Sequence, residues 1–297
     1  TAGRADLSCD DPTLPVDESN LIVRAIRAMQ AESKRCRGGD QLGSAQRGIT
    51  EWGSTECGNY GVRVKLQKLI PTGGGLGGGS SDAAATVRTL NDLWKLSLPE
   101  QRLSELAATL GSDVPFFLKG PSGICTGRGE IVHPIPPPGP RWALLMLPGT
   151  SMPTPAVYRQ FDLMTDPGLS NSKVSSPTGD CPTGDWEQRV DWTQWQRLSA
   201  KGLLRHLQND LEAPAFALSP SLGRLRSDAE TLVSRPVRMS GSGSTLFTLF
   251  DERNEAEEAA EKVQHRWSSD WSPDGLDPES IGLKTIVAHV APDEVNG

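Results

Sequence analysis

The sequence lacks any apolar run long enough to span a bilayer, and it lacks a CxxC pair. Its five cysteines (Cys9, Cys36, Cys57, Cys125, Cys181) are scattered and odd in number, which argues against a disulfide framework or zinc site and fits a reducing compartment. The four histidines (His133, His206, His265, His289) are equally dispersed and suggest neither a metal nor a catalytic role. Excess positive charge is missing too: a net charge of −7 gives no general attraction to nucleic acid or an anionic membrane. Any polyphosphate ligand must then be gripped locally. No charged-then-apolar leader is visible in the sequence; the cysteine usage makes the cytoplasm the expected location, with a plastid left open.

What the chain has in abundance is glycine and proline, 31 and 23 of 297 residues, in a length sufficient for one large core or two ordinary ones. Six of those glycines fall within the eleven residues Pro71, Thr72, Gly73, Gly74, Gly75, Leu76, Gly77, Gly78, Gly79, Ser80 and Ser81. A strand-like run from Val62 precedes this stretch, and a helix-like run from Asp82 to Leu93 follows it. Glycine permits positive φ and close approach of other groups to the backbone. Converging amides at a helix start most often hold an anion, commonly phosphate. A Walker A loop requires Gly-Lys-Ser/Thr, and no lysine lies between Pro71 and Lys95. A dinucleotide fingerprint matches at Gly73, Gly75 and Gly78, but Val62, Val64 and Leu66 alternate with polar residues. A strand of a doubly wound parallel sheet would be apolar throughout. A plain linker would not run straight into Ser-Ser-Asp-Ala-Ala-Ala, a well-capped helix start.

Along the rest of the chain, residues 1–20 read as loop, and Asn20 caps a helix through Met29. Residues 31–59 read as an inserted surface loop, polar and aperiodic. Pro99 opens a helix ending at Gly111, and Asp113 follows, beside Val114, Pro115, Phe116 and Phe117. By spacing alone Asp113 either caps a turn or does chemistry. The prolines between 134 and 140 mark a domain boundary, and a buried strand follows from Arg141 to Leu147. A second insertion covers 165–200, with Trp186, Trp192 and Trp195 suggesting a half-buried helix over 185–203. Tyr158 suits either core or base stacking, and the small-residue run Ser240, Gly241, Ser242, Gly243 and Ser244 suits either a plain hairpin or a close backbone approach. A helix over 255–267 and a strand over 283–290 complete an α+β pattern.

The stretch 71–84 resembles the phosphate loop of the GHMP kinases, small-molecule kinases related to galactokinase, homoserine kinase and mevalonate kinase. Leu-Gly-Ser-Asp-Val-Pro-Phe-Phe (110–117), the Gly-Arg-Gly-Glu run that follows (127–130), Thr154-Pro155 with Tyr158, and Ser240 to Ser244 are similar to further motifs of that family. The resemblance implies a two-domain α+β fold over 1–140 and 141–297: a ribosomal-protein-S5-like N-terminal domain and a ferredoxin-like α/β sandwich. It implies that residues 71–81 and 240–243 bind ATP with Mg²⁺, Ser81 lying nearest the metal. It implies Asp113 as catalytic base, and Thr154, Pro155 and Tyr158 as contacts for a small-molecule acceptor. The variant found here points to a cytidine-diphosphate-linked methylerythritol as that acceptor, in isoprenoid precursor synthesis; homoserine or a mevalonate derivative is the alternative. Asn209-Asp-Leu-Glu (209–212) resembles a family segment that starts a structural helix. Family members also carry Pro-x-Lys-x-Asn-Leu and Gly-Tyr-His segments that present the acceptor hydroxyl and the base. Neither occurs here, so the sequence is expected to be a fragment of a longer chain, or a nucleotide-binding protein without catalysis.

Overall fold

A helix begins where Asn20 can cap it: its Oδ1 accepts from the Ile22 amide at 2.9 Å, and α1 runs from Leu21–Gly38. The computed structural model describes residues 3–38, 60–165, 191–268 and 282–290. They fall into two units, Thr1–Pro71 with Gly77–Pro134, and Thr72–Leu76 with Ile135–Gly297.

In the first unit, α1 buries Ile22, Ala25, Ile26 and Met29, which recur at helical spacing. They pack with Ala83, Ala84, Val87 and Leu90 of α2 (Gly78–Leu93). Leu106, Ala107 and Leu110 of α3 (Glu100–Leu110) and Val114 of α4 (Val114–Lys119) extend the same core. Full burial of Ile26 and Met29 contributes roughly 1.5–3 kcal/mol each. Two strands lie against these helices. β1 (Ala5–Cys9) and β2 (Val62–Leu66) pair in parallel, Ala5 opposite Val62 and Cys9 opposite Leu66. The expected opening loop is therefore a strand over residues 5–9. The alternation in β2 is real, with Val62, Val64 and Leu66 half-buried and Arg63 and Lys65 exposed. β3 (Gly123–Thr126) and β4 (Ile131–Pro134) form an antiparallel hairpin.

The expected insertion 31–59 begins later than its composition suggests, because α1 continues through Gly38. Glu32 is the reason. It is 7% exposed, and Arg102 of α3 grips both its oxygens, Nε at 2.8 Å and Nη2 at 2.7 Å. Residues 39–59 lie outside the described residues.

The second unit is built on a sheet ordered β6-β7-β5-β8, antiparallel at every pairing: β5 (Arg141–Leu147), β6 (Arg238–Met239), β7 (Leu246–Phe250) and β8 (Lys284–Val290). With its helices the chain order is βαββαβ, the ferredoxin-like arrangement. β5 is nearly continuously buried because both faces are covered. Leu144 and Met146 pack with Val157 of α5 (Thr154–Thr165), Ala215 of α8 (Glu212–Leu218) and Leu222 and Leu225 of α9 (Pro220–Val233). Val263 of α10 (Arg253–Ser268) joins the same face. Ala143 faces the other side, against Ala200, Leu203 and Leu204.

The single helix expected over 185–203 is two short ones among the described residues, α6 (Trp192–Arg197) and α7 (Ala200–His206). The break falls at Leu198, whose backbone is extended, and Ser199 Oγ then caps α7 through the Gly202 amide at 3.2 Å. The buried Arg141 guanidinium donates to the carbonyls of Gly139, Gln196 and Leu198, which fixes that corner. Residues 166–190, including Trp186, lie outside the described residues.

The Arg102 hydrogen bonds hold the Glu32 carboxyl below its ordinary value of 4.5 against the opposing effect of burial. A lowered folded value means that the pair stabilises fully above about pH 4.5 and is lost as pH falls through the folded value. Glu32→Gln is expected to flatten this part of the acid limb in urea melts, and to cost about 2 kcal/mol at neutral pH. An unchanged acid limb would refute the role given to the pair.

Candidate active site

The glycine loop is held by a second loop, and backbone does the holding. In the second unit, the Thr245 amide donates to the Gly74 carbonyl at 3.1 Å, and Ser240 Oγ donates to the Gly75 carbonyl at 2.9 Å. Gly75 has φ +73°, and a Cβ there would stand 2.2 Å from the Ser240 carbonyl oxygen. Gly241 has φ +54°, and its Cβ would meet the Gly75 carbonyl oxygen at 2.9 Å. Only glycine fits either position. The plain-hairpin reading of 240–244 is thereby replaced by a close approach of two loops.

The second loop has its own brace. Asn209 Nδ2 donates to the carbonyls of Met239 and Gly241 at 2.9 and 2.8 Å, and Glu212 Oε1 accepts from the Met239 amide at 2.8 Å. The segment 209–212, read from sequence as structural, thus positions the loop that meets the glycine stretch. Ser242 Oγ and Thr154 Oγ1 lie 2.8 Å apart, so Thr154, an expected acceptor contact, is tied to the same loop. Pro155 is exposed one residue further along α5, and Tyr158 is 52% exposed. The core alternative for Tyr158 falls, and its ring is available for stacking.

In the first unit the loop becomes a helix. The first helical bond runs from the Ser81 amide to the Gly77 carbonyl at 2.9 Å, which leaves the amides of Gly78, Gly79 and Ser80 without intrahelical partners. Among the described residues, no backbone carbonyl accepts from the Gly77 amide either. The donors of Gly77 to Ser80, with the positive end of the helix dipole, suit an anion. Gly77 has φ +66°, and its missing Cβ leaves room for the Phe117 ring, whose Cζ would otherwise stand 2.6 Å away. Lys68 Nζ reaches Asp82 Oδ2 at 2.8 Å across the same junction.

Asp113 sits at the head of α4, one turn (~6 Å) before Phe117. It is exposed rather than hemmed in by its apolar neighbours, because Val114 and Pro115 turn inward while the carboxylate turns out. It makes no side-chain cap, so the turn-capping alternative fails, and Oδ1 accepts from Ser112 Oγ at 3.1 Å. The turn joining β3 to β4 lies against it, with Asp113 Oδ1 3.7 Å from a Cβ built on Gly129 (φ +109°). That turn is pinned by Glu130, whose own amide and that of Arg128 hold its carboxyl below the usual range. Burial, and then the Asp113 charge, push the Cys125 thiol up, so the carboxylate is felt on β3 as well.

Among the described residues no cluster of three or more His, Cys, Asp or Glu suits a metal, and no helix is long and apolar enough to cross a membrane.

Asn209→Ala removes two hydrogen bonds to the second loop, at about 1 kcal/mol each. Nucleotide affinity is expected to fall roughly tenfold, with little change in the melting temperature of the first unit; calorimetric titration with ATP checks it.

The family described as GHMP kinases N terminal domain matches residues 20–121, and GHMP kinases C terminal matches residues 195–269. The 4-diphosphocytidyl-2-C-methyl-D-erythritol kinase of Cereibacter sphaeroides is 35% identical over 256 residues, 84% of this chain and 73% of that protein. The kinase of the same name from Chloroherpeton thalassium is 32% identical over 94% of this chain and 83% of its own. A crystal structure of 4-(cytidine 5'-diphospho)-2C-methyl-D-erythritol kinase superposes with TM-score 0.57 at 32% identity, over 88% of this chain and 79% of the other. A homoserine kinase from Cytophaga hutchinsonii gives TM-score 0.58 at 17% identity over 97% and 82%, a likeness of fold. With both halves matched, over more than half of its length, and with kinases of this kind above 30% identity, the chain belongs to the GHMP kinase family, with its α+β fold of a ribosomal-protein-S5-like and a ferredoxin-like domain.

Proposed function

We propose that this protein transfers the γ-phosphate of ATP to the 2-hydroxyl of 4-(cytidine 5'-diphospho)-2-C-methyl-D-erythritol, in the non-mevalonate route to isoprenoid precursors. The observation that carries the reading is the glycine stretch: Gly74 and Gly75 are held by the loop at 240–245, and the amides of Gly78, Gly79 and Ser80 that open α2 have no intrahelical partners. Identity above 30% to kinases of that name supports the acceptor. The homoserine and mevalonate kinase structures lie at 17% and 9% identity, and carry fold alone.

In this mechanism Asp113 takes the proton of the acceptor hydroxyl as its oxygen bonds to the γ-phosphorus and the bond to the ADP oxygen breaks. Amides of the loop 73–81 and the start of α2 offset the charge spread over the transferring group. The Ser81 hydroxyl would hold a Mg²⁺ ion at the start of α2, and that ion would supply further neutralisation of phosphate charge. Ser240, Gly241, Ser242 and Gly243 shape the nucleotide side, while Thr154 and Pro155 line the acceptor and Tyr158 stacks on cytosine. Scattered cysteines favour the cytoplasm as its place of work.

Phosphorylation of that acceptor by the full-length protein, followed by mass spectrometry, tests the proposal. Asp113→Asn is expected to lower turnover by about 10²–10⁴-fold while ATP still binds. Tyr158→Ala is expected to raise KM for the acceptor at least about fivefold, with Tyr158→Phe restoring it. Near-normal turnover in Asp113→Asn would remove the base from this mechanism, and absence of competition by cytidine diphosphate would favour another small alcohol.

A further inference from the structure

One buried charge in the first unit has no part in the chemistry above. The Lys68 side chain is 9% exposed and its ammonium lies 2.8 Å from the Asp82 carboxylate, itself 28% exposed. Both ends of Lys68 are anchored, since its backbone amide donates to Asp10 Oδ1 at 2.8 Å just beyond β1. The Asp10 amide in turn donates to the Leu66 carbonyl at 3.3 Å. Lys68 therefore joins three places: the exit of β1, the exit of β2, and the first turns of α2.

The place where the ammonium sits gives the pair its meaning. A Cβ built on Gly78, the first residue of α2, would stand 3.4 Å from Lys68 Nζ and 3.0 Å from Ile70 Cγ2. The strand exit thus presses on the residue where loop becomes helix, and Asp82 clamps it from the next turn. Burying a Lys–Asp pair is a poor way to gain stability, because desolvation cancels much of the attraction; apolar side chains of similar volume would serve the core as well. What an ion pair adds is a defined geometry. Here that geometry is the direction in which the amides of Gly78, Gly79 and Ser80 point.

We infer that Lys68 and Asp82 are positioning residues for the nucleotide phosphates: their ion pair sets the angle at which α2 leaves the glycine loop, and so aims its first amides. The inference rests on the proposed use of the loop for ATP. It requires no contact between Lys68 and the nucleotide.

Titration calorimetry and steady-state kinetics on the full-length protein test it, with ATP as the probe. Lys68→Met and Asp82→Asn are each expected to raise Kd and KM for ATP about tenfold, leaving kcat and the acceptor KM close to wild type. Lys68→Arg restores most of the affinity, and the double variant is no worse than either single one. A merely structural role would lower kcat with the folded fraction and leave KM unchanged, and that result overturns the inference. So does tighter ATP binding by Asp82→Asn, the behaviour of a lysine acting as a bare charge once its counter-ion is gone. Unchanged ATP affinity in Lys68→Met, with wild-type protein binding normally, overturns the inference alone. Failure of the wild-type protein to bind ATP overturns the reading of the loop, and the inference with it.

Discussion

The structure of the glycine loop depends on two backbones approaching more closely than side chains permit. Gly75 and Gly241 each occupy space in which a β-carbon would strike a carbonyl oxygen of the other loop, at 2.2 and 2.9 Å. The β6–β7 hairpin carries 240–245 to that contact, and Asn209 and Glu212 hold its near end by side chains. Positive φ at Gly75 and Gly241 goes with that approach, since glycine alone takes this backbone shape at no steric cost. In the proposed function, the amides left over are the ones that face the polyphosphate.

Much of this was legible in the residues, where local chemistry decides the outcome. Asn20 announces α1, Pro99 and Gly111 bracket α3, and alternation over Val62 to Leu66 foretells a strand with one open face. The unbroken apolar run from Trp142 to Leu147 likewise marks a strand covered on both sides. β1 escaped notice because Ala-Asp-Leu-Ser-Cys carries little pattern of its own, and its partner lies far along the chain, Ala5 against Val62. The extra turns of α1 escaped for a similar reason. Glu32 looks like one more polar residue until Arg102 of α3 arrives to neutralise it.

The site was legible in its glycines and only partly in its side chains. The exposure of Asp113 was not legible, since adjacency to Val114 and Phe116 in sequence says nothing about which way a helix head faces. Lys68 drew no reading, and Asn209 was read only as the start of a structural helix. A lysine that follows the end of the alternation, shortly before a proline and a glycine run, is a signal in retrospect. The brace that Asn209 makes gave none, because its two acceptors are main-chain carbonyls around thirty residues away.

The mutual fit of Gly75 and Gly241 also shapes how this gene can change. Because each obstacle is main chain, shortening a neighbouring side chain cannot make room for a new methyl group. A lineage that loses either glycine has no nearby substitution through which to recover, and the two codons are bound to a common fate. Selection for suppressors of a Gly75 lesion would therefore return the original residue, whereas lesions in the side-chain braces around the loop leave many routes open.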